Sequence, residues 1–379
     1  MLSMPDLHGV PSQTAGMLPE LPSTAHLRTL VERVFPGKPV DFQVGPLQGD
    51  ASDRRYFRLK FAAAVNGITS LVLMRLAPPY STGELPFVNV QRYLSLKKIP
   101  VPYIFWDDST HGSILLEDLG DVTLEAASRG ASREQTADWY RQALDMLLTL
   151  QDPDCVALRA GCVAFHLAFD VEKLMWELDF FLTHMIKQLC AQRLTPMAEA
   201  TLLGQFWKIA AMLAQQPRVL THRDYHSRNL MLCQDRLRVI DFQDARLGPC
   251  QYDVASLLYD SYVVLPPDLR EKLLTYYLEQ KAARDGQALD RESFVWVFDY
   301  MCLQRNLKAL GTFAFQTTVK RSTRYLGAIP PTLNYIRANL ARHPELGQLS
   351  ELLEAYLFAA VPNALPDVEK HIPDRFPTR

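Results

Sequence analysis

The spacing of apolar residues changes once along this chain, near Gly120, and that change constrains the fold more than any other feature. Before it, short runs of β-forming residues predict strands. They occupy residues 55–61, 70–76, 103–106 and 113–117, with one predicted helix at 84–98. After it, apolar residues recur every three to four positions, which is typical of amphipathic helices. We therefore predict an α+β protein, with a small antiparallel sheet followed by a larger helical part.

The length of the chain supports this division. At 379 residues, the chain is longer than the roughly 250–300 residues at which a single hydrophobic core stops growing. We predict a flexible arm at 1–26, an N-terminal lobe at 27–118, a helical lobe at 119–361 and a tail at 362–379. The arm contains no Lys or Arg, so it lacks the charged start of a secretory signal.

Composition excludes several classes of partner. The formal net charge is -2, which gives no general basic field of the kind that nucleic-acid-binding proteins carry. The apolar runs fall far short of the roughly 20 residues that a membrane span needs. The six cysteines form no CxxC pair, which favours reduced thiols over a zinc site or a disulfide framework. We expect a cytoplasmic protein without nucleic-acid or membrane partners.

The helical pattern stops between residues 217 and 250, where a polar, charge-dense segment takes its place. Residues 222–224 read HRD, Asn229 follows after four residues, and Asp241 follows a short apolar strand. This is the spacing of the catalytic loop and the metal loop of kinases. Phosphoryl transfer needs mainly positioning and charge neutralisation. Asp224 is the candidate catalytic base, and Asn229 and Asp241 carry the hard oxygen ligands that Mg²⁺ prefers.

Each residue in this segment also has a simpler interpretation. Asp224 alone could be a helix cap or a surface charge, but its spacing to the other two residues favours catalysis. His222 is expected to hold the loop by hydrogen bonds, as buried histidines usually do, and Asp253 is expected to anchor the same loop. Asp244 is either a substrate contact or a cap for the helix beginning near Gln251.

Four segments together resemble a known family. They are GDASDRRYFR at 49–58, LLEDLG at 115–120, HRDYHSRNLM at 222–231 and RNLKALGTF at 305–313. The chain resembles the aminoglycoside phosphotransferase (choline kinase-like) family, and within it the bacterial cell-wall sugar kinases that phosphorylate N-acetylmuramate and N-acetylglucosamine at the anomeric position. The resemblance implies a bilobal, protein kinase-like fold, ATP and Mg²⁺ as cofactors, and an amino sugar as the small-molecule substrate.

The resemblance also implies a nucleotide site near the junction of the lobes. There the backbone carbonyl of Glu117 and the amide of Leu119 would read the adenine edge, unless the segment is only a linker. No G-x-G-x-x-G loop is present, so phosphate contact falls to the turn at 49–53 and its Ser52 hydroxyl, with a plain hairpin turn as the alternative. Arg75 stands near the position of the usual phosphate-binding lysine; it either binds phosphate or extends to the surface.

The residues predicted to meet the acceptor are Asp224, Asp244, Arg305 and Asn306. On the predicted helix, Arg305, Asn306 and Lys308 could hold a carboxylate or N-acetyl group, although a charge run on a helix is usually a solvated face. Mixed charges in the C-terminal region favour a neutral or anionic acceptor over a polycationic one. Two alternatives stay open: a kinase of an aminoglycoside, choline-like or other small alcohol, and a pseudokinase that only binds nucleotide.

Overall fold

The computed structural model describes residues 20–47, 54–78, 83–153 and 159–365. The chain forms two compact units. The first unit consists of the residues up to Val88 together with Pro102–Leu119, and the second consists of Asn89–Val101 and the residues from Gly120 onward. Most of the predicted arm and of the predicted tail lies outside the described residues.

The first unit contains a five-stranded antiparallel sheet with the strand order β1-β2-β3-β5-β4. The strands are β1 (Phe42–Leu47), β2 (Arg55–Val65), β3 (Ile68–Arg75), β4 (Ile104–Asp108) and β5 (Ser113–Glu117). Strands β2 to β5 match the predicted β-type runs. Strand β1 was not predicted, because Gly45 and Pro46 interrupt its pattern. It pairs with β2, with Val44 opposite Leu59. Because β1 lies at the edge of the sheet, it can contain Pro46.

Helix α1 (Thr24–Val34) closes the core of the first unit. Ser23 caps it by accepting a hydrogen bond from the amide of His26. Leu27, Leu30 and Val31 are buried on one face and belong to the same core cluster as strand residues such as Leu59 and Leu73. The i, i+3, i+4 spacing of these three residues places them on the face of the helix that contacts the sheet.

The second unit is mostly helical. Its helices are α3 (Leu124–Ser128), α4 (Arg133–Gln151), α5 (Val171–Phe181), α6 (Pro196–Ala214), α7 (Gln251–Leu258), α8 (Pro267–Asp285), α9 (Arg291–Thr318), α10 (Ile329–Arg342), α11 (Gly347–Leu353) and α12 (Val361–Ala364), while α2 (Pro86–Leu96) begins in the first unit and ends in the second. π-Helical segments, Leu182–Leu189 and Glu354–Phe358, continue α5 and α11. In the described part of the chain, none of the helices has the length and hydrophobicity of a membrane span.

Residues 89–101, which we expected in the N-terminal lobe, group with the helical unit. The side chain of Asn89 donates to the carbonyl of Gly161 at 2.9 Å and accepts from the amide of Val163 at 2.8 Å. The carbonyl of Pro100 accepts from the amide of Val239 at 2.7 Å. These hydrogen bonds connect the end of α2 and the following turn to helical-unit backbone, which sequence patterning does not reveal.

Helix α9 is the central helix of the second unit and packs against α5, α7 and α10. At Gly311 the helix comes so near to α5 that an added Cβ would lie 2.7 Å from the Cα of Phe181. Two backbones come this close only where one of them has no side chain. Gly311 therefore sets the distance between α9 and the helix that carries Phe181.

Two short antiparallel sheets surround the polar segment. Strand β6 (Arg218–Thr221) pairs with β9 (Arg246–Pro249), and β7 (Leu230–Cys233) pairs with β8 (Arg236–Val239). One loop leaves β6 and reaches β7 through a short 3-10 turn at Ser227–Asn229. A second loop leaves β8, the apolar strand predicted at 237–240, and reaches β9. These two loops carry the residues that the spacing singled out.

Candidate active site

The backbone of the loop at 222–229, the catalytic loop, is held by two buried carboxylates. Asp253 accepts hydrogen bonds from the amides of His222, at 2.6 Å, and Arg223, at 3.0 Å. Asp260 accepts from the amide of Ser227 at 2.9 Å. Burial raises the pKa of Asp253 to about 6, although His222 and the two amides act in the opposite direction. The expected anchoring role of Asp253 is confirmed.

His222 joins the catalytic loop to the loop at 241–244, the metal loop. Its Nε2 atom lies 2.9 Å from the carbonyl oxygen of Ile240, so this nitrogen carries the donated proton. The amide of Ile240 donates in turn to the carbonyl of Asn229 at 3.0 Å. The expected structural role of His222 is confirmed, and both ends of the catalytic loop are connected to the residue before Asp241.

Asp224 is held by side chains at both its carboxylate and its carbonyl. Its Oδ1 atom accepts from Nζ of Lys308 at 2.6 Å, and its backbone carbonyl accepts from Nδ2 of Asn229 at 2.9 Å. Burial alone would raise the pKa of Asp224, but the charges of Lys308 and Arg223 hold it well below its ordinary value. The side chain is therefore an oriented carboxylate that stays ionised.

Asn229 and Asp241 supply oxygen atoms of the kind that Mg²⁺ binds. Because the amide nitrogen of Asn229 is engaged, its Oδ1 is the atom that can act as a ligand. Asp241 has an exposed side chain and a left-handed backbone with φ of 64°, and its Oδ1 accepts from Gln243 at 2.8 Å. Within the described ranges, no three His, Cys, Asp or Glu side chains form a metal cage. The pair fits an ion that is shared with phosphates.

Arg223 connects the two loops through its side chain. Its NH1 atom lies 3.1 Å from Oδ2 of Asp244, and its Nε lies 3.8 Å from Oε1 of Glu177. Although burial opposes the charge, the carboxylates of Asp224, Glu177 and Asp244 raise the pKa of Arg223 above its ordinary value. The φ of Arg223 is 83°, a strained value for a residue with a side chain. The ion pairs and the bond to Asp253 stabilise this conformation.

The structure decides one of the two interpretations of Asp244. Helix α7 begins after Cys250, and among the described residues no side chain caps it. The capping interpretation of Asp244 is therefore wrong. The carboxylate pairs with Arg223 and is still 55% exposed, so it can be reached by a ligand, and its contact with the acceptor stays a prediction.

Arg305 and Asn306 lie inside the helical unit, with exposures of 5% and 1%. Arg305 opposes the rise that burial causes in the pKa of Asp253 and Asp260. The side-chain amide of Asn306 has no hydrogen-bond partner among the residues that the structure describes. Their predicted contact with substrate stays untested. Lys308, which lies on the same helix as these two, is the residue that reaches Asp224.

Of the predicted phosphate contacts, Arg75 is described and Ser52 lies outside the described residues. Arg75 ends strand β3, and its NH1 atom donates to the carbonyls of Gly112, at 2.8 Å, and His111, at 3.1 Å. These hydrogen bonds join β3 to the turn that precedes β5. The phosphate role of Arg75 stays a prediction.

The two residues predicted to read adenine lie at the end of the first unit. The amide of Glu117, the last residue of β5, donates to the carbonyl of Tyr103 at 2.8 Å, and its Oε2 accepts from the amide of Tyr103 at 3.1 Å. Leu119 is buried and is the last residue of that unit. The carbonyl of Glu117 and the amide of Leu119 remain the predicted base-reading groups.

Comparison with known proteins adds independent information. The sequence profile described as "Phosphotransferase enzyme family" matches residues 43–290. The N-acetylmuramate/N-acetylglucosamine kinase of Pseudomonas aeruginosa is 37% identical over 316 residues, which cover 81% of this chain and 87% of that protein. The kinase of the same name from Neisseria meningitidis is 31% identical over 336 residues, which cover 86% and 94%.

Solved structures give the same fold. The choline kinase from Cryptosporidium parvum matches with a TM-score of 0.55 at 13% sequence identity, over 89% of this chain and 100% of that one. At this identity the likeness concerns the fold alone. Together with the antiparallel sheet and the helical remainder, it confirms the predicted α+β, kinase-like class.

Proposed function

Because the chain belongs to the phosphotransferase enzyme family and is a small-molecule kinase, we propose that it transfers the γ-phosphoryl group of ATP to the anomeric hydroxyl of N-acetylmuramate or N-acetylglucosamine. The choice of acceptor is supported by the names and the 31–37% identity of the two kinases above. The chemistry depends on one observation: the carboxylate of Asp224 accepts from Lys308 and its backbone carbonyl accepts from Asn229. The charges of Lys308 and Arg223 lower the pKa of Asp224 and favour its ionised form. The use of ATP favours a cytoplasmic location.

Asp224 orients the acceptor and takes its proton. The sugar oxygen forms a bond to the γ-phosphorus, and the bond from that phosphorus to the β,γ-bridging oxygen breaks. ADP leaves with the electron pair of the broken bond, and the hydroxyl proton passes to the carboxylate. Such a transition state needs little covalent help from the protein, so a single well-placed carboxylate is sufficient.

Lys308 determines which oxygen of Asp224 is available. Because Oδ1 accepts from the ammonium group, Oδ2 is the atom that can accept from the sugar hydroxyl. A carboxylate with a lowered pKa is a weak base, and proton transfer is easier when donor and acceptor are closer in pKa. An anomeric hydroxyl is more acidic than an ordinary alcohol, which favours it as the acceptor.

Asn229 and Asp241 would hold Mg²⁺ through Oδ1 of the amide and the carboxylate oxygens. When bound, this ion neutralises charge on the transferred phosphoryl group. For the nucleotide we propose that Glu117 and Leu119 read the base and that Arg75 and Ser52 lie near the phosphates, as the sequence predicts. Asp244 is proposed to meet the acceptor, because it lies in the metal loop and is exposed.

An acceptor screen tests this function. ADP release would be measured with N-acetylmuramate, N-acetylglucosamine, an aminoglycoside and choline, and the phosphate position would be assigned by NMR. We expect turnover with the amino sugars and a phosphate on the anomeric carbon. Turnover only with an aminoglycoside or choline would contradict the acceptor class. Nucleotide binding without turnover on any acceptor would identify a pseudokinase.

The variant Asp224→Asn tests the role of the carboxylate. It removes the charge that accepts the proton, so we expect kcat to fall by about 10²–10⁴-fold while nucleotide binding is retained. The matched control is Asp268→Asn, an exposed aspartate on α8, for which kcat should not change. Equal activity of the two variants would show that Asp224 is not the base.

A further inference from the structure

One face of α5 and of the π-helical segment that continues it has no role in the proposed chemistry. It presents Lys173, Trp176, Phe180 and His184, whose spacing of three, four and four residues places them on the same side. The Trp176 side chain is 52% exposed. An exposed indole in a row of other rings is a feature of binding sites.

Helix α9 completes this surface with Phe315. The ring centroids of Phe180 and Trp176 are 5.5 Å apart, and those of Phe180 and Phe315 are also 5.5 Å apart. The ring of His184 lies 5.0 Å from that of Phe315. We call Trp176, Phe180, His184 and Phe315 the aromatic surface, and it is continuous across the two helices.

The aromatic surface lies on the same two helices as the catalytic contacts. Lys308, which binds Asp224, precedes Phe315 by two turns of α9, so at 1.5 Å per residue about 10 Å of helix separates them. On α5, Glu177 follows Trp176 and accepts from Gln304 of α9 at 3.0 Å. The surface therefore shares both of its helices with residues that contact the catalytic loop, and the distance along α9 from Lys308 to Phe315 is about the length of a substituted sugar ring.

Positive charge collects at the end of the surface nearest to Asp224. The ammonium of Lys173 lies 3.8 Å from the ring centroid of Trp176. Burial and the nearby cations Arg223, Arg246 and Lys308 lower the pKa of Lys173 to about 8, while Glu177 acts in the opposite direction. Lys308 and Arg223 are themselves paired with Asp224 and Asp244, whereas the ammonium of Lys173 lies over the Trp176 ring and has no carboxylate at ion-pair distance among the described residues. Lys173 is therefore the cation at this end that can meet an anionic ligand.

We propose that the aromatic surface and Lys173 form the acceptor subsite: the apolar face of the pyranose ring stacks on Trp176, and Lys173 binds a carboxylate on the sugar. This inference rests on the proposed function and goes further, because it identifies what distinguishes a sugar acid from a neutral amino sugar. A pyranose has one face made mainly of C–H groups, which packs on an aromatic ring while its hydroxyls bind elsewhere.

The first test compares Trp176→Ala with Trp207→Ala. Trp207 lies on α6 and is 57% exposed, so it controls for the loss of a surface tryptophan. We expect Trp176→Ala to raise KM for both N-acetylmuramate and N-acetylglucosamine about tenfold, as removal of an aromatic anchor commonly does, with kcat within a factor of about two. Trp207→Ala should match the wild type, and Trp176→Phe should recover part of the loss.

The second test compares Lys173→Gln with Lys208→Gln, an exposed lysine on α6. We expect Lys173→Gln to raise KM for N-acetylmuramate about fivefold, the size of a partly exposed charge pair, and to leave KM for neutral N-acetylglucosamine unchanged. Lys173→Arg should keep the wild-type ratio of the two KM values, and Lys208→Gln should have no effect.

The pH profile gives a readout that a structural role would not produce. Lys173 is cationic below its pKa of about 8 and neutral above it. In the wild type, KM for N-acetylmuramate should therefore rise as the pH increases through about 8, while KM for N-acetylglucosamine does not follow. The rise should be absent from Lys173→Gln, and it should be absent from Lys173→Arg because the guanidinium stays charged.

The outcomes separate this proposal from the function on which it rests. If the wild type phosphorylates neither sugar, both the proposed function and the proposed acceptor subsite are wrong. If the wild type phosphorylates them but Trp176→Ala equals Trp207→Ala, the subsite is wrong and the function stands. If Lys173→Gln affects both sugars equally, the ammonium does not bind the carboxylate.

Discussion

The catalytic loop and the metal loop differ in how the protein holds them. Each contains a residue other than glycine in the left-handed region, Arg223 in the first and Asp241 in the second. Backbone amides of the catalytic loop donate hydrogen bonds to the buried carboxylates of Asp253 and Asp260, which anchor the loop. In the metal loop, the carboxylates of Asp241 and Asp244 are exposed.

The difference indicates a division of labour. The catalytic loop is preorganised before substrate binds, because buried hydrogen bonds fix the backbone conformation around Asp224. The ion-holding side keeps carboxylates accessible, because its ligands are completed by the ion and the phosphates. Substitution of the buried residues that anchor the catalytic loop should therefore lower kcat. Substitutions in the metal loop should change how the rate depends on the concentration of Mg²⁺.

Among the residues that support the two loops, the largest effect is expected for Asp253→Ala. Two backbone amides lose their acceptor, and each buried unpaired group costs about 1–3 kcal/mol. The free energy of unfolding should therefore decrease, and the catalytic loop should lose its fixed conformation. We expect kcat to fall at least about a hundredfold, which corresponds to about 2.7 kcal/mol of barrier, with a clearly lower melting temperature. Steady-state kinetics and thermal unfolding measure both effects.

The comparison variant is Asp244→Ala in the metal loop. Its carboxylate is 55% exposed, so solvent screens its ion pair with Arg223, and a screened ion pair contributes at most about 1 kcal/mol. Its melting temperature should stay close to that of the wild type. If it is destabilised as strongly as Asp253→Ala, the two loops are not held differently.

Much of this arrangement could be predicted from the sequence, because it depends on local spacing. The distances between Asp224, Asn229 and Asp241 along the chain identified both loops. The structural roles of His222 and Asp253 were predicted from their positions within the polar segment and directly after it. What could not be predicted was formed by distant pairing: β6 and β9 are four-residue strands whose partners are separated by more than twenty residues, and such short runs carry no period of their own.

The substrate side of α9 shows a second limit. Arg305, Asn306 and Lys308 lie within one turn of the helix, so the sequence places all three near the site. The sequence does not show which of the three side chains reaches the catalytic loop. Packing against α5 and α7 buries Arg305 and Asn306, and only the position of Lys308 reaches Asp224. The orientation of a helix about its axis is set by its neighbours, which the pattern of a mostly buried helix does not reveal.

A smaller effect is expected for Lys308→Gln. Lys308 is a positioning residue that orients Asp224, and loss of a charge-assisted hydrogen bond of about 1.5–3 kcal/mol predicts a decrease in kcat of about ten- to a hundredfold. KM for ATP should not change, and Lys308→Arg should recover part of kcat. The control is Lys272→Gln, an exposed lysine on α8. An unchanged kcat for Lys308→Gln would mean that the ion pair does not position the base.

Gly311→Ala should act on the catalytic loop through α9, the helix that also carries Lys308. The new Cβ would meet the backbone of Phe181 at 2.7 Å, so α9 must move, and overpacking of this kind costs about 1–3 kcal/mol. We expect a lower free energy of unfolding and a several-fold lower kcat, because α9 carries Lys308. Gly204→Ala on α6, where an added Cβ has open space, should be neutral or stabilising. Denaturant unfolding and kinetics compare the pair.

The smallest effect is expected for Gln243→Ala in the metal loop. Gln243 donates to Oδ1 of Asp241 at 2.8 Å, and loss of this exposed hydrogen bond should weaken ion binding by about two- to threefold, which corresponds to less than 1 kcal/mol. At saturating Mg²⁺ kcat should equal that of the wild type, while the Mg²⁺ concentration for half-maximal rate should rise. Titration of the rate with Mg²⁺ at fixed ATP measures the shift. A fall in kcat that added Mg²⁺ does not restore would show that the metal loop, like the catalytic loop, depends on its own hydrogen bonds for its active geometry.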